Sequence, residues 1–135
     1  MSDEFRPEQF RPEVFHPEAL RPRPGRPTGR VVVPPERDPA GPAFFEWELR
    51  GEEWSDEHPF DEWVYVLDGE LHVECGGEVV VCATGALVRV PAGSRGSYRA
   101  PVYARVLSVY GPRPGGDHDP MGVLRTLPAP DDADS

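Results

Sequence analysis

Proline recurs at every fifth position near the start of the chain, at Pro7, Pro12, Pro17 and Pro22. It sits inside a repeated unit: Phe5-Arg6-Pro7-Glu8, Phe10-Arg11-Pro12-Glu13, Phe15-His16-Pro17-Glu18, then Leu20-Arg21-Pro22-Arg23. A ring that fixes φ and removes a backbone donor at that interval forbids a regular helix and favours extended or turn backbone. Of 18 prolines, ten lie within residues 1–42, and 14 glycines are spread along the chain, so long helices are disfavoured throughout. Residues 1–42 cannot bury enough apolar surface to fold alone. Two readings stay open for them. They form a disordered leader, or an arm whose Phe5, Phe10 and Phe15 dock on the rest of the chain or on a partner subunit.

From Ala43 the pattern changes to short strands separated by turn signals. Phe45, Trp47 and Leu49 alternate with Glu46, Glu48 and Arg50, as in a half-buried strand. Trp63-Val64-Tyr65-Val66-Leu67 is rich in β-branched and aromatic residues. Asp68-Gly69 reads as a turn into Glu70 to Cys75, and Gly76-Gly77 as a two-residue hairpin turn into Glu78 to Cys82. Further strands are expected over Leu87 to Val90, Ser97 to Ala100 and Val102 to Tyr110. Repeated strands at this spacing predict an all-β sandwich or barrel. The expected organisation is an arm over 1–42, a β domain over 43–113 and a Pro-, Gly- and Asp-rich acidic tail over 114–135. A β core of about 70 residues is marginal alone, so a homodimer or a docked arm is expected to add burial.

Charge narrows the partners. The net charge is −10, and residues 43–113 hold twelve acids against six arginines. Such a body repels phosphate backbones, which argues against nucleic acid as a partner. No apolar run approaches the ~18 residues that span a bilayer, and the first residues lack the apolar stretch of a secretory signal, so no membrane association and a cytoplasmic location are expected. The chain has no Lys, so every cationic side chain is Arg, which cannot act as a Lys-type nucleophile. Cys75 and Cys82 would face Glu78 and Leu71 across the hairpin, roughly 13 Å apart along the strands. That exceeds the ~7 Å limit for a disulfide, so both are expected to be reduced.

Two stretches together resemble the paired motifs of the cupin superfamily. The first is Asp56-Glu57-His58-Pro59-Phe60-Asp61-Glu62, followed through Asp68 to Gly69. The usual pattern is His-x-His, three or four residues, Glu, six residues, Gly. Glu62 and Gly69 have that spacing, His58 holds the second His position, and Asp56 stands where the first would be. The second stretch is Gly85, five residues, then Pro91-Ala92-Gly93, with Gly96 where a further His is customary. The run Pro91-Ala92-Gly93-Ser94-Arg95-Gly96-Ser97-Tyr98, then Pro101-Val102, is similar to small cupins of the ethanolamine-utilisation-like and ureidoglycine aminohydrolase-like type. The resemblance covers about residues 44–110. It implies a single double-stranded β-helix, or jelly-roll, barrel behind the Pro-rich arm.

Asp56 and His58 are two apart and share a face if extended. The resemblance brings Glu62 beside them inside the barrel. Two carboxylates and an imidazole in a confined cavity suit a metal or acid–base chemistry. The resemblance implies a divalent metal held by three His and a carboxylate. Here Asp56, His58 and Glu62 remain as an open three-donor set, and Gly96 removes the donor from across the barrel, so the expected cofactor is none or one divalent metal. His72 would contribute only if its hairpin face points inward, and His118 reads as a solvated tail residue. Without metal, crowding and burial raise carboxyl pKa values, which suits proton transfer by Asp56, His58 and Glu62. Arg95 is the expected contact for an anionic substrate, or else a salt-bridge partner, and Tyr98 a hydrogen-bond donor in the pocket or a packing residue. Trp47, Trp54, Trp63 and Tyr65 read as core. Three functions stay open. The first is an acid–base enzyme performing isomerisation, cyclisation, elimination or hydrolysis on a small polar or anionic metabolite. The second is a non-catalytic module that binds or senses a metabolite or metal, and the third is a metal-dependent oxygenase or hydrolase.

Overall fold

The computed structural model describes residues 10–113 and 122–129. Among them are ten strands, no α-helix, and a short 3-10 turn at Pro35–Arg37. The strands are β1 (Arg21–Arg23), β2 (Arg26–Val33), β3 (Ala43–Leu49), β4 (Glu52–Glu57), β5 (Glu62–Cys75), β6 (Glu78–Ala83), β7 (Leu87–Val90), β8 (Arg95–Ala100), β9 (Ala104–Tyr110) and β10 (Val123–Thr126). They pair antiparallel in the order β1-β2-β3-β9-β5-β8-β4-β10, with β6 and β7 also on β5.

The long strand β5 links the two halves of the fold. Its first half, from Glu62 to Gly69, pairs with β9, and its last residues, from His72, pair with β8. The sequence pattern suggested a turn at Asp68-Gly69; instead the strand runs on. Its register against β9 shifts between Val66 and Asp68, and Gly69 adopts φ +89. A side chain at Gly69 would strike the Tyr103 carbonyl, so this bend requires glycine. The Gly76-Gly77 hairpin has the expected register, with Cys75 opposite Glu78 and Cys82 opposite Leu71, and both thiols are free.

Alternation places the core. Val64, Val66, Leu71 and Val73 of β5 face inward with Ala104 and Val106 of β9 and Tyr98 and Ala100 of β8. Trp47 joins them, its indole edge-on to the Tyr98 ring at 5.6 Å and its Nε1 donating to Ser108 Oγ at 2.9 Å. Burying these indole and phenol rings with their polar atoms paired is what makes a small β core stable.

Two segments outside residues 43–113 join the sheet. β2 pairs along β3 from Thr28 opposite Glu48 to Val33 opposite Phe44. On the outer face Arg30 and Arg105 both bind Glu46, at 2.7 Å each, tying β2, β3 and β9 together. Further back, Arg37 binds Glu13, and the Glu18 carbonyl accepts from Arg30. Phe10 is exposed, Phe15 is half-buried, and Phe5 lies outside the described residues. From the tail, β10 pairs with β4, Leu124 opposite Trp54. Gly122, two residues before Leu124, lies so close that a Cβ would overlap the Trp54 indole. Gly122→Ala is therefore expected to cost about 1–3 kcal/mol in urea denaturation and to shift tryptophan emission. Unchanged values in both would contradict the docking of this tail.

Candidate functional site

Asp56 lies in β4 opposite Gly96 of β8, His58 follows the end of that strand, and Glu62 opens β5. β4 holds two acids at its start, Glu52 and Glu53, and persists as a strand because Glu53 binds Arg99 of β8 and Arg125 of β10 on its two sides. Trp54 and Asp56 then occupy inward positions, and Trp54 Nε1 donates to Asp56 Oδ2 at 3.0 Å. All three of Asp56, His58 and Glu62 are buried, at 5%, 3% and 5% exposure.

The hydrogen bonds fix the protonation pattern. His58 Nδ1 lies 2.6 Å from the Phe60 carbonyl, which only accepts, so Nδ1 carries a proton. Nε2 lies 3.0 Å from Glu62 Oε1, and Tyr98 donates its hydroxyl to the same oxygen. Burial works against the imidazolium, but the hydrogen bond to Glu62, the charges of Glu62 and Asp56 and the Phe60 carbonyl outweigh it and raise the His58 pKa. Burial, then the charge of Glu62, pushes Asp56 up to about 6. Burial and the same two carboxylates hold Tyr98 well above the usual phenol range, so it remains a donor. Asp56 Oδ1 stands apart: it is buried and, among the described residues, has no hydrogen-bond partner.

A cavity of about 330 Å³ opens beside this cluster. Asp56, His58 and Glu62 line its buried end, Phe45, Trp47, Trp54 and Tyr110 its aromatic walls, with Ser108 between. Tyr110 stacks on both Phe45 and His58, at 5.5 and 5.4 Å between ring centres. Arg23, Arg26 and Pro27 of the N-terminal strands, with Pro35 and Glu36, complete the lining.

Arg95, Tyr98 and His72 are not among the residues that line the cavity. Arg95 is exposed, pairs in register with Glu57 and is not part of the lining, because its neighbour Gly96 takes the inward position. Tyr98 is buried behind Glu62, where it positions that carboxylate and does not line the cavity. His72 lies opposite Val81, whose exposed face turns outward, and it bonds Glu70 on the surface. His118 lies outside the described residues. Trp63 and Tyr65 are about 40% exposed on the outer face of β5, whereas Trp47 and Trp54 serve both core and cavity wall. The lining role of Arg23 and Arg26 was missed. Its signal was the Pro24-Gly25 turn between two arginines, a hairpin cue obscured by the proline repeat.

The donor set fits a divalent cation. One donor atom from each of Asp56, His58 and Glu62 lies within 4.8 Å of the others, and one of the buried oxygens has no competing partner. Gly96 offers nothing from across the barrel, and a Cβ there would sit 3.1 Å from the Tyr98 hydroxyl, which fills that side.

A curled antiparallel sheet with a carboxylate–imidazole cluster at the start of its long strand is the arrangement of a cupin. Residues 43–110, half of the chain, match the cupin domain model, and the chain belongs to that family. It is similar in particular to ethanolamine-utilisation proteins. It is 36% identical over 70 residues to the acetate kinase EutQ of Salmonella typhimurium, a match that takes in 52% of this chain and only 27% of the relative. The solved EutQ protein of Clostridium difficile is 26% identical with a TM-score of 0.57, over 64% of this chain and 62% of that one. A Klebsiella pneumoniae protein with a double-stranded β-helix domain, 21% identical over 77% of this chain and 90% of that one, shares the fold with a TM-score of 0.60. Among the described residues no helix is long and apolar enough to cross a membrane.

Proposed function

We propose that this protein is an enzyme of small-molecule metabolism that acts by proton transfer at Asp56, His58 and Glu62 on a small polar or anionic metabolite. The carrying observation is Asp56 Oδ1, a buried carboxylate oxygen without a partner beside a cavity. Leaving such an atom unpaired costs about 1–3 kcal/mol, and a site that keeps it is poised for a ligand to supply the missing hydrogen. With a pKa near 6, Asp56 exchanges protons close to neutral pH and suits a general base. His58, charged against Glu62, is the matching acid, and Glu62 and Tyr98 fix its orientation. A proton would pass from the substrate to Asp56 Oδ1, and another from His58 Nε2 to a substrate atom that takes the place of Glu62 Oε1 on that nitrogen. The aromatic walls would exclude water from both transfers. Isomerisation, cyclisation, elimination and hydrolysis all fit that scheme.

The test is to incubate the protein with a panel of small metabolites in D2O and follow deuterium incorporation and product signals by NMR. His58→Ala and Glu62→Gln are expected to slow turnover roughly 10²- to 10⁴-fold while far-UV circular dichroism keeps its β signature. Full activity in both variants would remove the proposal.

A second reading is favoured by the convergence of donor atoms at Asp56, His58 and Glu62. A bound divalent cation would supply Lewis-acid polarisation of a substrate oxygen. Near-stoichiometric metal in protein purified without chelators, lost in Asp56→Asn, supports it. The relative's name, acetate kinase, adds small carboxylates to the candidate ligands. A glycine loop opening a helix, one common phosphate cradle, has no counterpart among the described residues.

A further inference from the structure

The cavity lining carries groups of both charge signs. The buried end holds Asp56, His58 and Glu62, and the charges that act on Asp56 are those of Glu62, His58 and Arg95. The arginine pair of the N-terminal hairpin also lines the cavity, with Arg23 half-buried and Arg26 exposed.

Arg23 is built into its place. β1 and β2 pair with Arg23 opposite Arg26 across the turn at Gly25, so both cations belong to one tight hairpin. Arg23 Nε donates to the Pro27 carbonyl at 2.9 Å, which fixes the plane of the guanidinium. Its Nη2 lies over Gly29, 2.7 Å from where a Cβ would project, and Gly29 pairs with the cavity residue Trp47. The missing side chain at position 29 is thus the slot through which the guanidinium reaches the cavity wall. Among the described residues Arg23 has no carboxylate partner. Burial, and then the neighbouring charge of Arg26, depress its pKa, the mark of a cation short of counter-charge. Glu36, the exposed acid of the lining, is screened by water.

We propose that Arg23 is the anion-binding group of the cavity. The ligand is then a small organic acid with a flat apolar body, its carboxylate on Arg23 and its far end toward Asp56 and His58. The planar guanidinium fork matches a carboxylate, and the walls of Phe45, Trp47, Trp54 and Tyr110 match a ring or a conjugated chain. This assignment deepens the proton-transfer reading and rests on it only for the far end. The N-terminal hairpin, outside the matched cupin segment, becomes a specificity element.

Equilibrium binding by calorimetry tests it on the full chain, with benzoate, benzamide and phenyl phosphate as probes of similar shape. Benzoate is expected to bind saturably, and benzamide much more weakly. Arg23→Gln should weaken benzoate roughly 10- to 100-fold, the value of a charge-assisted contact, and leave benzamide unchanged. Arg23→Lys, which keeps the charge and loses the fork, should fall between. Benzoate binding should persist in Glu62→Gln, so the anion end can stand or fall independently of catalysis. Equal benzoate affinity in wild type and Arg23→Gln, benzamide binding as tight as benzoate, or no saturable benzoate binding at millimolar concentration each overturns the proposal. Tighter binding of phenyl phosphate than benzoate overturns the carboxylate assignment in favour of a phosphate monoester.

Discussion

Asp56→Asn should make the protein more stable at pH 8 and leave its stability near pH 4 almost unchanged. The wild-type carboxyl is pushed from 3.8 up to about 6 by burial and then by the charge of Glu62. That gap corresponds to about 3 kcal/mol of penalty on the ionised folded state. The sign follows from proton linkage. Above pH 6 the carboxyl is ionised in both folded and unfolded chains, and the penalty is felt in full. As pH falls through 6 the folded state takes up a proton that the unfolded chain does not yet hold, and the penalty shrinks. Below 3.8 both states are protonated and it is gone. Asparagine keeps an oxygen for Trp54 Nε1 and puts an uncharged amide in place of the unpaired Oδ1. The melting temperature at pH 8 should therefore rise by roughly 5–10 °C, with turnover lost. His58 works in the opposite sense. Its raised pKa gives stability that is present below the imidazole's unfolded value and fades as pH rises through the folded one. Removing Asp56 takes away one of the charges that sustain it, which trims the gain at intermediate pH. No stabilisation at pH 8, or an equal one at pH 4, would contradict the environment assigned to Asp56.

A residue that costs stability to keep is where local sequence rules and function part, and this explains what could be read from the chain. The barrel and its hairpin were legible because alternation and glycine turns are local: Trp47 inward and Glu46 outward, Cys75 opposite Glu78. The juxtaposition of Asp56, His58 and Glu62 was legible from spacing and resemblance, and the fold brings one donor atom of each within 4.8 Å of the others. β4 was harder. Glu52-Glu53-Trp54-Ser55-Asp56-Glu57 has no β-branched residue, and it is a strand because β8 and β10 flank it and arginines from both neutralise Glu53. That Arg23 and Arg26 line the cavity was not legible at all. Arg95 sits in the family-like stretch but one residue out of phase with the interior, so the pleat sends it outward. Arg23 enters only because β2 adds to the sheet edge and Gly29 leaves room, a long-range pairing that no local pattern encodes.

The same logic makes Arg113 the cation whose loss should be felt farthest from its own position. Arg113 is 1% exposed. Its Nε donates to the Gly41 carbonyl at 2.8 Å, and its Nη2 to the carbonyls of Pro35 and Asp38 at 2.8 and 2.9 Å. Its own backbone nitrogen donates to Ala40 at 2.7 Å. One guanidinium thus organises residues 35–41, the segment that carries Pro35 and Glu36 to the cavity. Its five fixed donors suit several carbonyls at different bearings, a task that a lysine's single ammonium does poorly. Arg113→Ala removes a donor from three carbonyls, of which Asp38 keeps the Gly41 amide, and leaves a void where a large side chain was packed. The expected cost is about 3–5 kcal/mol in urea denaturation. Arg113→Lys should recover only part of it. Because these three bonds converge on one loop, hydrogen exchange should accelerate first at the amide of Gly41, which donates to Asp38, while the β5–β9 ladder keeps its relative protection. Uniform acceleration across the barrel would mean that Arg113 supports the whole core and not this loop. A midpoint unchanged from wild type would mean that water replaces the guanidinium at all three carbonyls without loss, and the clamp would have no energetic role.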